Sequence, residues 1–262
     1  MLDAVTLYAS FDESLEADHA LSSPHLRTRS GALDAPEAFR FVDGFDPAVY
    51  RVAEGAGVSG GALEATAVLP NFGRIFYPAA GNLPYREGGW GGAVSFWMRT
   101  NPDSMLRTPF CDPIQITQRG ANNGGLWIDF PDSSPRDLRL GAFPSKGGRA
   151  SYAETDPDAP LVIVEAVGFR ETDWHHLAFC WSDFDSGLAS ARATLYIDGR
   201  EQGAIEGREI AMEWDAARTG IYLAVNYIGL LDELAVFRRP LSPAEIRTLA
   251  TEPAALTTLR RK

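Results

Sequence analysis

Apolar and polar residues alternate in step along several short segments of this chain. Val94, Phe96 and Met98 fall on one side of 93–99, Leu126, Ile128 and Phe130 on one side of 125–130, and Leu138, Leu140 and Ala142 on one side of 137–143. A period of two marks strands with one buried and one wet face. Further strands are predicted over 113–118, 174–181, 221–225 and 227–237, with Gly, Pro, Asn and Asp between them. Asp198-Gly199, closing the segment 193–200, tolerates the positive φ angles of a type I′ turn and predicts a hairpin tip. No long helical period separates the strands, so they read as antiparallel; parallel pairs need crossovers.

One helix is predicted. Ser242 supplies an N-cap, Pro243 the first helical position and Glu245 the third, while Leu241 and Ile246 are placed to form a hydrophobic staple. The helix is expected over about 243–250, ending before Pro253 and packing on the edge or rim of the sheets. The C-terminal stretch 253–262, ending Arg260-Arg261-Lys262, reads as a solvated tail. Two stretches lack strand rhythm. Residues 12–60 are expected to add a strand or wrap a sheet, and 144–160 form a long loop of the kind that often carries function.

The 262 residues, 45% hydrophobic and 23% charged, suit one soluble domain, 1–262, with a sizeable core. Lys and Arg number 24 against 35 Asp and Glu, a formal charge of -11, which argues against a nucleic-acid partner. The opening residues Met1 to Tyr8 have no basic segment followed by an apolar one, and no apolar run approaches the roughly 20 residues of a membrane span. As written, the chain reads as cytoplasmic, with no signal peptide and no membrane span. Cys111 and Cys180 can pair only once, and Cys180 lies in an apolar strand pattern that favours a buried free thiol.

Several of these segments together resemble one family. Leu7-Tyr8-Ala9-Ser10-Phe11-Asp12, Ala93-Val94-Ser95-Phe96-Trp97-Met98-Arg99, Trp174-His175-His176-Leu177-Ala178-Phe179, Leu195-Tyr196-Ile197-Asp198-Gly199 and the run from Ile228 to Phe237 are similar, in order, to the strands of laminin G-like, concanavalin A-like lectin and glucanase jelly rolls. Leu241 to Ile246 is similar to their closing helix. The resemblance implies an all-β, antiparallel two-sheet jelly-roll sandwich with one short C-terminal helix, in a family often found outside cells. It also implies a structural calcium ion, since Asp12 and Asp232 match the positions that hold one; two carboxylates supply only part of a shell of six to eight oxygens.

Members of the family include sugar-binding modules, protein-binding modules and glycosidases, so activity has to be read from sites. The glucanase run Glu-x-Asp-x-x-Glu is missing. Its nearest approach, Glu171-Thr172-Asp173-Trp174-His175-His176, has histidine in place of the third acid. His175 and His176 point to opposite faces of a strand and cannot share a metal within it. Sugar binding needs aromatic faces beside amides or carboxylates. Trp127 and Asp129 share outward parity, Asn122 and Asn123 precede them, Trp90 follows two glycines, and Asn226 precedes Tyr227. These residues are the expected carbohydrate site. Asp112, Gln115 and Thr117 form a polar cluster that is less typical of the family. The expected function is a non-catalytic module binding a glycan or polysaccharide. The alternatives are a protein-interaction or structural jelly roll, and a hydrolase or lyase with acids on separate strands.

Overall fold

A computed structural model describes residues 1–31, 40–70 and 73–260 of the chain, the side chain of Arg40 excepted. Strands are numbered along the chain. The nine-stranded sheet holds β1 (Val5–Ala9), β2 (His19–Ala20), β5 (Tyr50–Ala53), β6 (Ala62–Ala65), β8 (Trp90–Arg99), β15 (His175–Phe184), β16 (Ala191–Ile197), β17 (Arg200–Arg208) and β19 (Gly229–Phe237). The eight-stranded sheet holds β3 (Arg27–Ser30), β4 (Arg40–Asp43), β7 (Arg74–Pro78), β9 (Cys111–Thr117), β10 (Gly125–Phe130), β11 (Leu138–Phe143), β14 (Leu161–Val164) and β18 (Gly220–Val225). All pairings are antiparallel. The order in the first is β17-β16-β15-β8-β19-β1-β2, with β6 also on β19 and β5 on β6; in the second it is β14-β11-β10-β9-β18-β7-β3-β4.

The predicted alternation builds the interior. Val94, Phe96 and Met98 from one sheet meet Leu126, Ile128, Leu138 and Leu140 from the other in a single core. Asp198 and Gly199 both adopt positive φ, 49° and 77°, and turn β16 into β17. The stretch 12–60 contributes β2, β3, β4 and β5, of which residues 32–39 lie outside the described part. Within 144–160 a small hairpin forms, β12 (Ser145–Lys146) with β13 (Arg149–Ala150), closed by Gly147 and Gly148 at positive φ.

Helix α1 (Pro102–Met105) is one turn, capped by Asn101. Helix α2 (Pro243–Thr251) carries the full capping box of Ser242 and Glu245. It packs on a sheet face rather than at a rim. Ile246 and Leu249 join Tyr8, Ala93, Ala178, Cys180, Ala235 and Phe237, the outward residues of the nine-stranded sheet, in a second apolar cluster. The expected tail is instead a 3-10 helix, Pro253–Leu259, that buries Leu256 in the same cluster. Arg260 is pinned beyond it, while 261–262 lie outside the described residues.

Candidate functional site

Because β9, β10 and β11 send their apolar residues inward, the alternate positions face out from the eight-stranded sheet. Register aligns Trp127, Gln115, Tyr222 and Phe76 in one row across four strands. Asp129 pairs with Arg139 and Arg29 with Arg74 beside it. This polar face is buried. Asp129 receives two bonds from Arg139, at 2.9 and 2.5 Å, and Arg139 reaches Glu154 at 2.7 Å. Gln115 donates to Asp112 at 2.6 Å and accepts from Arg74 at 3.4 Å, while Arg29 donates to the Tyr222 hydroxyl. Burial raises Asp129 to about 6 against the pull of Arg139, and burial together with the charge of Asp129 lifts Asp112 well above its ordinary value.

Trp127 and Asp129 thus share the outward face that their parity predicts, but they form no open stacking platform. Trp127 is 1% exposed and Asp129 3%. The indole lies on Gly141, where an added Cβ would sit 2.3 Å from the ring. It stacks on Phe143 at 5.5 Å, has the Arg139 guanidinium 5.2 Å away, and donates to the Ala121 carbonyl at 2.9 Å. Protein atoms occupy the surfaces a sugar ring would need.

Open space lies at one end of the sandwich, where loops between strands converge. Tyr85, Trp90 and Trp214 form an aromatic cluster with centroids 5.4–5.7 Å apart. Trp90 is buried and donates to Asp185 at 2.8 Å; Asp185 in turn accepts from the Met212 and Glu213 amides. Trp214 donates to the Gly124 carbonyl at 2.7 Å, and its amide bonds the Tyr85 hydroxyl at 3.0 Å. Arg119 bonds the carbonyls of Met212 and Glu213. The Glu213 carboxylate accepts from the amides of Gly148 and Gly147 and from the Ser145 hydroxyl, which holds it below the usual range.

Two cavities meet here. One of about 600 Å³ is lined by Tyr85, Arg119, Asp185, Glu213 and Trp214 among others. The other, about 790 Å³, is lined by Lys146, Tyr152, Arg208, Glu209 and Glu213 among others, and the two share Glu209, Ala211 and Glu213. Aromatic edges for the apolar side of a ring and charged groups for its hydroxyls stand together. Trp90 lies beneath this end and lines a further cavity of about 510 Å³ with Arg86, Ser182 and Leu188. Asn122 and Asn123 brace the surroundings, donating to Glu154 at 2.9 Å and to the Gly148 carbonyl at 2.8 Å. Asn226 and Tyr227 line none of the three cavities. Asn226 donates to the Phe110 carbonyl, and Tyr227 is fully buried with its hydroxyl on the carbonyls of Leu230 and Arg99. Tyr85, Arg119, Glu213 and Trp214 went unmarked in the sequence because they come from three separate loops, Glu213 and Trp214 sharing one, with no period or motif to join them.

Asp12 and Asp232 converge on one glycine-rich loop. Asp232 accepts from the amides of Val58, Ser59 and Glu233, and Asp12 from Gly61, at 2.7–3.2 Å. Among the described residues, no group of three or more His, Cys, Asp or Glu side chains is placed to hold a metal ion. Burial and the charge of Glu233 push Asp232 to about 8.

The laminin G family model of the concanavalin A-like lectin/glucanases superfamily matches residues 84–247, from before β8 into α2. The chain belongs to that superfamily. Its two-sheet architecture is shared by domain 4 of AbnA, an extracellular GH43 arabinanase from Geobacillus stearothermophilus solved in complex with arabinotriose. That match has a TM-score of 0.53 and 20% identity, over 94% of this chain and 99% of the other. The binding domain of Botulinum neurotoxin DC in complex with rat synaptotagmin II matches with a TM-score of 0.61 and 14% identity, over 95% of this chain and 52% of that one. The same domain in complex with SialylT matches with a TM-score of 0.56 and 13% identity, over 96% of this chain and 51% of that one. This lectin/glucanase-type chain spans about half the length of the neurotoxin domains. At these identities the likeness shows the fold. A search of curated protein sequences returned no significant match.

Proposed function

We propose that the chain is a carbohydrate-binding module whose ligand lies in the groove at the loop end of the sandwich. The observation that carries this reading is the joining of the Tyr85 and Trp214 wall to a polar wall of Glu209 and Glu213 across two adjoining cavities. Each volume falls within the roughly 300–1,000 Å³ usual for ligand sites. A pyranose or furanose would lay its apolar side on the half-buried Tyr85, behind which the buried Trp214, 6% exposed, forms the floor. Its hydroxyls would donate to Asp185, Glu209 or Glu213 and accept from Arg119 or Lys146. The arabinotriose complex of AbnA domain 4, a neighbour matched over 99% of its length, supports the reading.

A broad glycan and polysaccharide array, followed by titration of intrinsic tryptophan fluorescence, tests it. Selective binding is expected, with Tyr85→Ala weakening it at least about tenfold, roughly 1.4 kcal/mol, while the exposed Glu209→Ala leaves the melt unchanged and also weakens binding. No glycan above background, or full binding by both variants, sinks the proposal and moves attention to a protein partner.

A further inference from the structure

The C-terminal end of the described chain enters a pocket that nothing in the carbohydrate reading uses. The 3-10 helix Pro253–Leu259, anchored by Leu256, delivers the Arg260 guanidinium between the end of β1, the bend in β19 and the loop 57–61. Arg260 Nη1 lies 2.8 Å from Asp12 Oδ2, and Nη2 lies 2.5 Å from Glu233 Oε1 and 3.0 Å from the Ser59 hydroxyl. Nε donates to the Tyr8 hydroxyl at 3.3 Å, and that hydroxyl donates to Glu233 Oε2 at 2.7 Å. Asp232 of β19, wholly buried, adjoins Glu233 and accepts from the Val58 and Ser59 amides of the same loop. The loop is closed down on the acids: a Cβ on Gly57 would lie 2.6 Å from Asp232 Oδ2, and one on Gly60 2.0 Å from Asp12 Oδ1.

We infer that this pocket is a cation site which the chain fills with its own Arg260, so that the C-terminal guanidinium and a divalent metal ion exclude one another there. A calcium ion takes six to eight oxygens. With Arg260 in place the donors do not fit one, because Asp12 Oδ2 and Glu233 Oε1 are bonded to the guanidinium and Asp232 is turned toward three backbone amides. The Asp12 and Glu233 carboxylates and the Ser59 hydroxyl all converge on this one guanidinium, and Glu233 is only 4% exposed, so removing the cation would leave a buried carboxylate without its counter-charge. The guanidinium thereby ties the opening strand, the closing strand and the 57–61 loop together, the task that the family resemblance gives to calcium at Asp12 and Asp232.

Thermal melts of the full chain in chelator and in millimolar CaCl₂ decide the matter. The unaltered protein is expected to melt at the same temperature in both. Arg260→Ala is expected to melt several degrees lower in chelator and to regain part of the loss with calcium. Adding Asp12→Asn to Arg260→Ala is expected to abolish that recovery, locating the ion in this pocket. A chelator-sensitive melt of the unaltered protein overturns the inference, because a metal would then already share the site. So does an Arg260→Ala melt equal to the unaltered one, an Arg260→Ala protein indifferent to calcium, or a recovery that survives Asp12→Asn.

Discussion

Asp112 occupies an outward position of β9 that water would normally bathe, yet it is 5% exposed and its charged neighbours include a second carboxylate, Asp129. Gln115 satisfies one of its oxygens at 2.6 Å. Burial first, and Asp129 second, raise its pKa well above the ordinary 3.8. A raised acid contributes stability that is complete below the unfolded pKa and is lost as pH rises through the folded one. Asp112→Asn keeps the bond from Gln115 and carries no charge, so its melting temperature is expected to gain on the unaltered protein as pH rises from about 4 upward. A tenfold difference in proton affinity between the folded and unfolded chain corresponds to about 1.4 kcal/mol, and about 2–4 °C of melting temperature per kcal/mol follows for a chain of this size. Paired melts across a pH series check it, and a difference that stays constant with pH would refute the raised pKa. The polar character of 112–117 is legible in the sequence. The partnership of Asp112 with Asp129 is not, since it depends on the register of β9 against β10.

Among the elements, α2 shows how far local chemistry reaches. Its start is set by Ser242, whose hydroxyl accepts from the Glu245 amide while the Glu245 carboxylate accepts from the Ser242 amide. Those groups are neighbours in the chain, and their pattern can be read without a fold. Ser242→Ala is expected to cost about 1 kcal/mol and to lower the melt by about 2–4 °C, as followed by far-ultraviolet circular dichroism. What the pattern does not contain is the docking face. Ile246 and Leu249 settle on the outward side of the nine-stranded sheet because Ala93, Ala178, Ala235 and Phe237 present an apolar surface there. The 3-10 helix after it has no side-chain cap bond, and so left no signal at the chain level; it exists because Leu256 finds the same surface.

Across the molecule as a whole, the two sheets place the cysteines in different compartments. Cys111 faces the core between the sheets, while Cys180 lies on the other face of the nine-stranded sheet, under α2. Both are free and buried, and burial pushes the Cys180 thiol up to about 11. A sheet separates them, so no disulfide joins them. Two thiols are expected to react with a thiol reagent in denaturant and neither at a comparable rate in the native state; a reductant is expected to leave the melt unchanged. A melt that falls in reductant would contradict the arrangement. The groove likewise exists only at this level, because Tyr85, Glu213 and Trp214 lie on two crossovers between the sheets and Arg119 on the β9–β10 hairpin, segments distant in sequence that meet only in the fold.

The alternating strands, the Asp198-Gly199 hairpin, the capped helix and the kinship with lectin-like jelly rolls are all written in the linear chain, because each rests on residues within a few positions of one another. The same local pattern puts Trp127 and Asp129 on one outward face, and the family resemblance joins Asp12 to Asp232. Which outward residues are open is settled only by folding. Trp127 is covered while Tyr85 is only half-buried, since exposure is set by whatever loop crosses a side chain, and that loop is distant in sequence. Folding also turns Arg260 from an expected frayed end into the counter-charge of a buried acidic pocket, because the guanidinium meets Asp12 and Glu233 only after both sheets have closed.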